Sequence, residues 1–339
     1  MLIWKKKKKC ENSEPKNEPV NFRNKCDKEN YAAHKYIREL KELEKDIGYI
    51  PKQKELARDI WKLERGCKGE DEIEYYLETC SFQFPVYCLR DVFLQTEDIA
   101  AQIDFILITP KYIYSIESKN WKDKIKATSE GWFRITKETQ VPIDDPIVQN
   151  RIHLEVIRRV LEKVMKKTTD FHYQSLVVNA NKHENKWDCS EMDESKKRQV
   201  VYLKELPERI KENEENSSVE AFEHDTLKEV ADIILLRQDQ KKYYTREMEK
   251  VRQKYFEKTS EDEAIEELTM LLLYLSSKKN VSHKGDRMWS WKNYCYDILN
   301  RLDEGDYIDQ TVYTEKKVYL TGKGVERAKR LMGKYGIGD

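Results

Sequence analysis

Three charged residues interrupt an apolar stretch at residues 102–120, which reads QIDFILITPKYIYSIESKN. Two runs of β-branched and aromatic residues lie on either side of Pro110 and Lys111, and this pattern predicts a β-hairpin. Asp104 lies inside the first predicted strand, whereas Glu117 and Lys119 end the second. Charged side chains inside such apolar strands are candidates for chemistry.

The hairpin register predicts that these side chains converge. If the turn is centred on Pro110 and Lys111, Asp104 lies opposite Glu117, and directly opposed residues share a face with their Cβ atoms roughly 4.5–5.5 Å apart. Glu117 and Lys119 are two residues apart, so they also share a face. We therefore expect two carboxylates and one ammonium on one small patch of a sheet. A slip of one residue would destroy this arrangement.

Two adjacent carboxylates repel each other unless a cation lies between them. Oxygen ligands suit Mg²⁺ or Mn²⁺, and a bound cation of this kind activates water and stabilises charge on a phosphoryl group. Lys119 could orient that water and neutralise the developing charge. The alternative is a cross-strand pair of a lysine and carboxylates on a solvated surface. The residues alone leave both interpretations open.

Five short motifs, taken in order, resemble the nuclease-related (NERD) domains, which are similar to the PD-(D/E)xK restriction-endonuclease-like superfamily. The resemblance covers about residues 68–206. Its motifs are Gly69-Glu70, Gln102-Ile103-Asp104, residues 116–121 (IESKNW), Trp132 and residues 145–149 (DPIVQ). The last motif departs from the family, which more often has asparagine where this chain has Asp145.

The resemblance implies an α/β fold, in which a mixed sheet is flanked by helices, and hydrolysis of phosphodiester bonds in nucleic acid. It implies a Mg²⁺ or Mn²⁺ ion at Asp104 and Glu117, with Lys119 catalytic. The family also places a glutamate near the metal, which corresponds here to Glu70.

Two helices are predicted to supply further site residues. Lys68, Gly69 and Glu70 open a predicted helix. Its inner face runs from Glu70 through Ile73 and Leu77, so the Glu70 carboxylate points inward. The alternative is a first-turn acid favoured by the helix dipole. Asp145 and Pro146 are a typical helix start, and Gln149 lies one turn later. Gln149 would reach the site as an uncharged hydrogen-bonding group, or it is an ordinary solvated glutamine.

His153 lies one turn beyond Gln149. We interpret it as a packed or surface histidine rather than a base.

The composition limits the classes of function. The 339 residues are enough for about two domains. Lysine and arginine total 63, as do aspartate and glutamate, so the net charge is no argument for a nucleic-acid partner. The seven cysteines have no C-x-x-C pair, which is typical of reduced thiols in a cytoplasmic protein. No apolar run of about 18 residues exists, so no membrane span is expected.

The chain is predicted to contain five regions. Residues 1–28 form a basic disordered tail, 29–66 a helical extension, 67–206 the nuclease-like domain, 207–260 a charged linker and long helix, and 261–339 a small C-terminal domain. Within the nuclease-like domain, residues 131–135 are expected to form a strand at the edge of the sheet.

The C-terminal region resembles winged helix-turn-helix domains. It contains an apolar helix from Ala264, an amphipathic helix predicted over residues 289–302, a hairpin near residues 314–317 and the pattern YLTxxGxxxAxxL from Tyr319. Only a short stretch, residues 278–288, separates the two helices, which departs from the usual second helix. Such domains bind DNA or proteins.

The winged-helix resemblance implies DNA contacts from the second predicted helix and the wing. Residues 278–339 contain 13 Lys and Arg against nine Asp and Glu. The predicted contacts are Lys292, Asn293, Arg301, Lys316 and Lys317.

The sequence thus predicts a cytoplasmic, Mg²⁺-dependent nuclease that acts on nucleic acid, with DNA as the expected substrate, and that is placed by its C-terminal domain. A second hypothesis is a non-catalytic DNA-binding regulator. A third is a component of a defence or repair assembly that cuts only when a protein partner engages it.

Overall fold

The computed structural model describes residues 18–137, 139–165, 171–181, 187–257, 259–280, 287–310 and 316–338. These residues divide into two compact units. The first comprises described residues within 1–35 and 63–244, and the second comprises those within 36–62 and 245–339. Most of the predicted basic tail, including Lys5–Lys9, lies outside the described residues. The prediction of disorder is wrong for residues 18–22, which form two short strands around the buried Val20.

The first unit is built mainly from strands. Its strands are β1 (Glu18–Pro19), β2 (Asn21–Phe22), β3 (Ser81–Phe82), β4 (Tyr87–Gln95), β5 (Ala100–Ile108), β6 (Tyr112–Lys119), β7 (Lys124–Thr128), β8 (Trp132–Ile135), β9 (Gln140–Ile143), β10 (His172–Asn179), β11 (Asp188–Glu191) and β12 (Val200–Tyr202). Its helices are α3 (Pro146–Val164), α4 (Glu194–Lys197), α5 (Leu206–Glu215) and α6 (His224–Arg237), with short 3-10 turns at Lys28–Asn30 and Leu203–Glu205.

Three helices cross a boundary between the units along the chain, namely α1 (Ala32–Asp46), α2 (Ile50–Glu78) and α7 (Gln240–Tyr255). The second unit continues with α8 (Glu261–Leu275), β13 (Lys278–Asn280), β14 (Arg287–Trp291), α9 (Tyr296–Glu304), β15 (Ile308–Asp309), β16 (Lys317–Leu320) and α10 (Gly322–Lys334).

The main sheet of the first unit is mixed, with strand order β12-β10-β6-β5-β4-β2. Strands β4, β5 and β6 pair antiparallel, whereas β10 is parallel to both β6 and β12. Helices cover both faces: Ile73 of α2 and Ile210 of α5 pack in one buried cluster, and Ile157 of α3 and Val230 of α6 pack in another. This arrangement confirms the predicted α/β mixed sheet flanked by helices.

The central hairpin has the predicted register. Phe105 pairs with Ile116, and Ile106 pairs with Ser115. Alternate residues of β6 enter different cores, since Ile116 belongs to the α2 and α5 cluster and Ile113 to the α3 and α6 cluster. Successive residues of β6 therefore point to opposite faces of the sheet, and both faces are buried.

The predicted helix start at Lys68 is wrong, because α2 runs without a break from Ile50 to Glu78. Gly69 serves a different purpose. A Cβ atom at this position would lie 2.9 Å from Cβ of Asn120 and 3.0 Å from Oγ of Ser118. The glycine allows the helix to approach the end of β6 closely. Glu70 therefore lies in the middle of a helix, which excludes its interpretation as a first-turn acid.

Three further expectations for the first unit need correction. The charged segment 207–218 is largely helix α5, and Ile210 of this helix is fully buried. The single long helix expected after it is two helices, α6 and α7. Strand β8 lies in a separate sheet with order β11-β7-β8-β9 and not at the edge of the main sheet.

The second unit contains a four-stranded antiparallel sheet with order β13-β14-β16-β15. Its core is formed by side chains from α8, α9, α10 and this sheet, including Met270, Leu273, Leu299, Leu302, Val318 and Leu331. Glu266 of α8 is buried in this unit, where it accepts from Arg301 Nε at 2.9 Å and from Arg327 Nη2 at 3.2 Å.

The helix predicted over residues 289–302 begins only at Tyr296, because residues 287–291 form β14. Lys292 and Asn293 consequently follow a strand and do not lie on a helix. Among the described residues between α8 and α9, the elements are strands, whereas a helix-turn-helix has a second helix here. The expected hairpin near residue 314 lies partly outside the described residues.

None of the described helices has the length and apolar character needed to cross a membrane. The cysteines in the described ranges are all free thiols.

Asn150 of α3 ties that helix to two strands. Its Nδ2 lies 2.8 Å from Ser115 O, 3.0 Å from Ser175 Oγ and 3.1 Å from Leu176 O. We expect Asn150→Ala to lower the free energy of unfolding by about 1–3 kcal/mol, because buried acceptors lose their donor. Urea unfolding followed by circular dichroism measures this change. Val148→Ala, at an exposed position of the same helix, is the matched control, and equal losses in both variants would contradict the assignment.

Candidate functional site

Asp104 and Glu117 occupy adjacent strands of the main sheet. The β5–β6 register, continued one step past Phe105 and Ile116, places Asp104 opposite Glu117. Both side chains are buried, with residue exposures of 8% and 3%. The backbone N–H of Ser118 donates to Asp104 Oδ2 at 2.7 Å, which fixes this carboxylate beside the second strand. The two strands thus bring both predicted carboxylates to one place.

Lys119 holds the cationic position of the site. Its ammonium donates to Glu117 Oε1 at 2.5 Å and to Gln149 Oε1 at 3.0 Å. Gln149 comes from the first turn of α3, which Asp145 caps by accepting from the N–H of Ile147 at 2.8 Å. Pro146 at the first helical position completes the predicted helix start. The cap therefore positions the amide that orients the lysine.

Burial disfavours ionisation of both carboxyls, and like charge adds to this effect at Glu117. The pKa of Glu117 is raised to about 8, first by burial and then by the charge of Asp104, while Lys119 acts in the opposite direction. Burial also raises the pKa of Asp104, which Lys119 and the Ser118 N–H lower. Glu117 is therefore the carboxyl of the pair that takes up a proton near neutral pH in the absence of another cation.

Glu117 Oε2 is buried and has no hydrogen-bond partner among the described residues. His153 Nδ1 lies 3.5 Å away, but burial, aided by Lys119, lowers the pKa of this histidine to about 4, so that it is neutral at pH 7. His153 is thus a packed histidine, as predicted. An unsatisfied carboxylate oxygen beside a second carboxylate fits a hard cation such as Mg²⁺.

Glu70 lies beside a buried arginine, Arg90, which was not identified from the sequence. Arg90 Nη2 lies 3.4 Å from Glu70 Oε2 and 2.8 Å from Asp71 Oδ1, and Nη1 donates to Glu74. The pKa of Glu70 is raised well above its usual value by burial and by the charge of Asp104, and Arg90 opposes both. The electrostatic effect of Asp104 on Glu70 links this glutamate to the carboxylate pair.

Asp91 is a further carboxylate that sequence reasoning missed. In the β4–β5 register it lies opposite Asp104, between the pairs Arg90–Phe105 and Val92–Ile103. Its backbone has φ +51°, a left-handed conformation that is uncommon for a residue other than glycine. A charged residue inside an apolar strand was the feature that identified Asp104, and the same feature could have identified Asp91.

Asp91 is held by two hydrogen-bonding side chains, Gln102 and Tyr244. Gln102 Nε2 lies 3.1 Å from Asp91 Oδ1 and 3.4 Å from Asp104 Oδ1, so one amide contacts both carboxylates. Tyr244 OH lies 3.0 Å from each carboxylate oxygen of Asp91. A row of three buried carboxylates, Asp91, Asp104 and Glu117, therefore crosses three adjacent strands.

Within the described ranges, no group of three or more His, Cys, Asp or Glu side chains is arranged as a metal site. Arg90 contacts the carboxylate of Glu70, and Lys119 occupies Oε1 of Glu117. Asp104 and Glu117 remain as the candidate ligands. This is compatible with Mg²⁺, which usually takes one or two carboxylates and completes its shell with water and substrate phosphate.

Three tryptophans lie beside the lysine. The rings of Trp121, Trp132 and Trp187 pack against one another with centroid separations of 5.3–6.1 Å. Lys119 Nζ lies 5.8 Å from the centroid of Trp121. The aromatic group covers one side of the ammonium, which limits its contact with water.

The five predicted nucleic-acid contacts all lie in the second unit. Arg301 is bound to buried Glu266, and this ion pair gives it a structural partner. Lys316 is exposed, and Lys317 Nζ lies 4.5 Å from the ring centroid of Trp289. Lys292 and Asn293 lie in the segment between β14 and α9. Their role in binding remains a prediction.

We expect Glu117→Gln to stabilise the metal-free protein at alkaline pH. A carboxyl whose folded pKa is raised to about 8 stabilises the fold fully below its unfolded pKa of about 4.3 and loses this contribution as pH rises through 8. Glu117→Gln has no carboxyl to ionise at this position, so its stability does not fall in this way as the pH rises. Unfolding in EDTA should therefore show a gain of about 1 kcal/mol or more at about pH 8.5, and little at about pH 4.

Glu130→Gln, at an exposed glutamate, is the control and should show no such pH dependence. A gain for Glu117→Gln that is equal at both pH values would contradict the electrostatic explanation.

Two family models match parts of the chain. Residues 261–338 match a domain of unknown function, DUF6429, so the expected winged helix is not confirmed. No curated protein and no solved structure was found to match the chain. Residues 65–180 match the nuclease-related domain family, NERD. The region that carries Glu70, Asp104, Glu117 and Lys119 lies within this match.

Proposed function

We propose that this protein is a metal-dependent nuclease that hydrolyses phosphodiester bonds in nucleic acid, with Asp104 and Glu117 as ligands of Mg²⁺ or Mn²⁺. The observation that supports the proposal is the buried Oε2 of Glu117, which has no hydrogen-bond partner among the described residues. Asp104 lies opposite Glu117 if the β5–β6 register continues one step past Phe105 and Ile116. The match to a nuclease-related domain supports the same reaction class.

Each residue of the candidate site has a separate role in the proposed reaction. Asp104 and Glu117 hold the ion, which when bound supplies Lewis-acid stabilisation of the phosphoryl oxygens and a water of lowered pKa. Lys119 neutralises negative charge that develops on the phosphate and helps to place the attacking water. Gln149 keeps the ammonium in position through the 3.0 Å hydrogen bond.

Glu70 is a candidate for regulating the site. Its carboxylate faces Arg90 and interacts electrostatically with Asp104. This observation favours, as a second candidate function, a nuclease that is activated when a partner shifts Glu70 from Arg90 toward the metal. The non-catalytic regulator remains the outcome if no condition produces cleavage.

The remaining parts of the proposal concern the substrate, the cellular location and the C-terminal domain. We propose DNA as the substrate, a cytoplasmic location and a C-terminal domain that contributes to nucleic-acid binding. The surplus of lysine and arginine in residues 278–339 supports the last point.

We expect Asp104→Asn, Glu117→Gln and Lys119→Met each to lower metal-dependent cleavage by about 100-fold or more, because all three act at one site. The assay compares single-stranded and duplex DNA and RNA with Mg²⁺, with Mn²⁺ and with EDTA. A double variant should lose little more than either single variant, since the residues act as a unit.

Asp98→Asn and Lys124→Met are matched controls at exposed positions and should cut as fast as the parent. Cleavage by Asp104→Asn at the rate of the parent would place the activity elsewhere or in a contaminant. Calorimetric titration with Mn²⁺ gives a second readout: the parent should bind the ion, and Asp104→Asn should bind it at least about tenfold more weakly.

A further inference from the structure

The sheet of the second unit has a buried face and an outer face. Along β14, Ser290 is buried and Met288 packs against the core of the unit, so that Trp289 and Trp291 alternate to the other side. Along β16, Val318 and Leu320 are buried, which places Lys317 and Tyr319 on that same outer side.

The strand register arranges the outer residues in two rows. Lys278 of β13 lies opposite Trp289, and Trp289 lies opposite Tyr319. Trp291 lies opposite Lys317 in the second row. Directly opposed residues share a face, so three aromatic side chains and two lysines occupy one surface. We call these five residues the aromatic–lysine face.

The aromatic rings and the ammonium groups are in contact. Lys317 Nζ lies 4.5 Å and Lys278 Nζ 5.9 Å from the ring centroid of Trp289. The Trp289 and Trp291 rings are edge to face, with centroids 5.2 Å apart at 87°. Trp291 is 47% exposed, which is unusual for a tryptophan that serves only to fill a core.

Charge is distributed unevenly around this face. Lys292 follows Trp291 directly, and Lys316 precedes Lys317. Asp309 lies opposite Tyr319 on β15, at the far edge of the sheet. The cationic part therefore extends over β13, β14 and the start of β16, where the two tryptophans lie.

We propose that the aromatic–lysine face binds single-stranded nucleic acid, with bases stacked on Trp291 and Trp289 and phosphates beside Lys317, Lys278 and Lys292. Aromatic rings accept the flat faces of bases without reading their sequence, and lysines complement the backbone charge. A duplex buries its base faces within its own stack, so only an unpaired strand can use the exposed indole ring.

This inference goes beyond the proposed nuclease activity, because binding here requires neither the metal nor Glu117. The two claims can fail separately: loss of cleavage leaves binding in EDTA unaffected, and loss of binding leaves slow metal-dependent cleavage at high protein concentration.

The test is fluorescence anisotropy of a labelled oligothymidylate of about 15 nucleotides, a length near the usual site sizes of single-strand binders, with the full-length protein in EDTA. The single strand should bind more tightly than a duplex of the same length. Trp291→Ala should weaken single-strand binding about 5- to 150-fold, and Trp291→Phe should retain most of it. Lys317→Gln should reduce the slope of log K against log salt by about 0.7.

Trp61→Ala is the matched control, since Trp61 is 52% exposed on α2 and outside the aromatic–lysine face. It should bind as the parent does. Tighter binding of the duplex, or unchanged single-strand binding by Trp291→Ala together with an unchanged salt slope for Lys317→Gln, would overturn the proposal. Circular dichroism verifies that each variant is folded.

Discussion

The hydrogen bond from Lys119 to Glu117 is the interaction on which the candidate site depends. Two unit charges 4 Å apart interact by about 4 kcal/mol at the effective dielectric of a partly buried site. Repulsion within the row Asp91, Asp104 and Glu117 therefore has to be offset. Lys119 and the Ser118 N–H do so on one side, and hydrogen bonds from Gln102 and Tyr244 stabilise the other.

The row of carboxylates explains why a cation would be favoured here. Lys119 supplies one positive charge to Glu117 Oε1, but Glu117 Oε2 still has no hydrogen-bond partner among the described residues. Burying an unpaired polar atom is costly unless a ligand or a proton satisfies it. The fold is thus locally less stable at Glu117 Oε2, and binding of a proton or a metal ion there would remove this cost. Such stored instability is common where a protein is arranged to bind an ion.

The sequence predicted the hairpin register and the start of α3 because each depends on local chemistry. The Pro110 turn and the alternation of apolar residues define the register, and Asp145 with Pro146 defines the helix start. Gly69 misled the prediction, because the same residue type that ends helices also allows close packing against β6. Asp91 was missed because its adjacent opposite charge, Arg90, resembles a surface pair until the strand is placed in the middle of the sheet.

Two other errors came from tertiary context. Helix α5 is rich in charged residues, and its buried positions at Leu206 and Ile210 are too few to distinguish it from a linker by composition. The tryptophans of β14 have a spacing of two, but they were included in a helix because the helical pattern of α9 follows directly. In both cases the type of secondary structure depends on which side chains are buried, and burial depends on partners that are distant in sequence.

The packing of Trp121, Trp132 and Trp187 gives the first unit an optical property. Indole rings held within 5.3–6.1 Å of one another at fixed angles couple electronically, and an ammonium near one ring shifts its emission. Any ligand that draws Lys119 away from Glu117 also changes the field at Trp121. A ligand that displaced Lys119 from Glu117 would therefore alter the protein's own near-ultraviolet spectrum, without a label and without turnover.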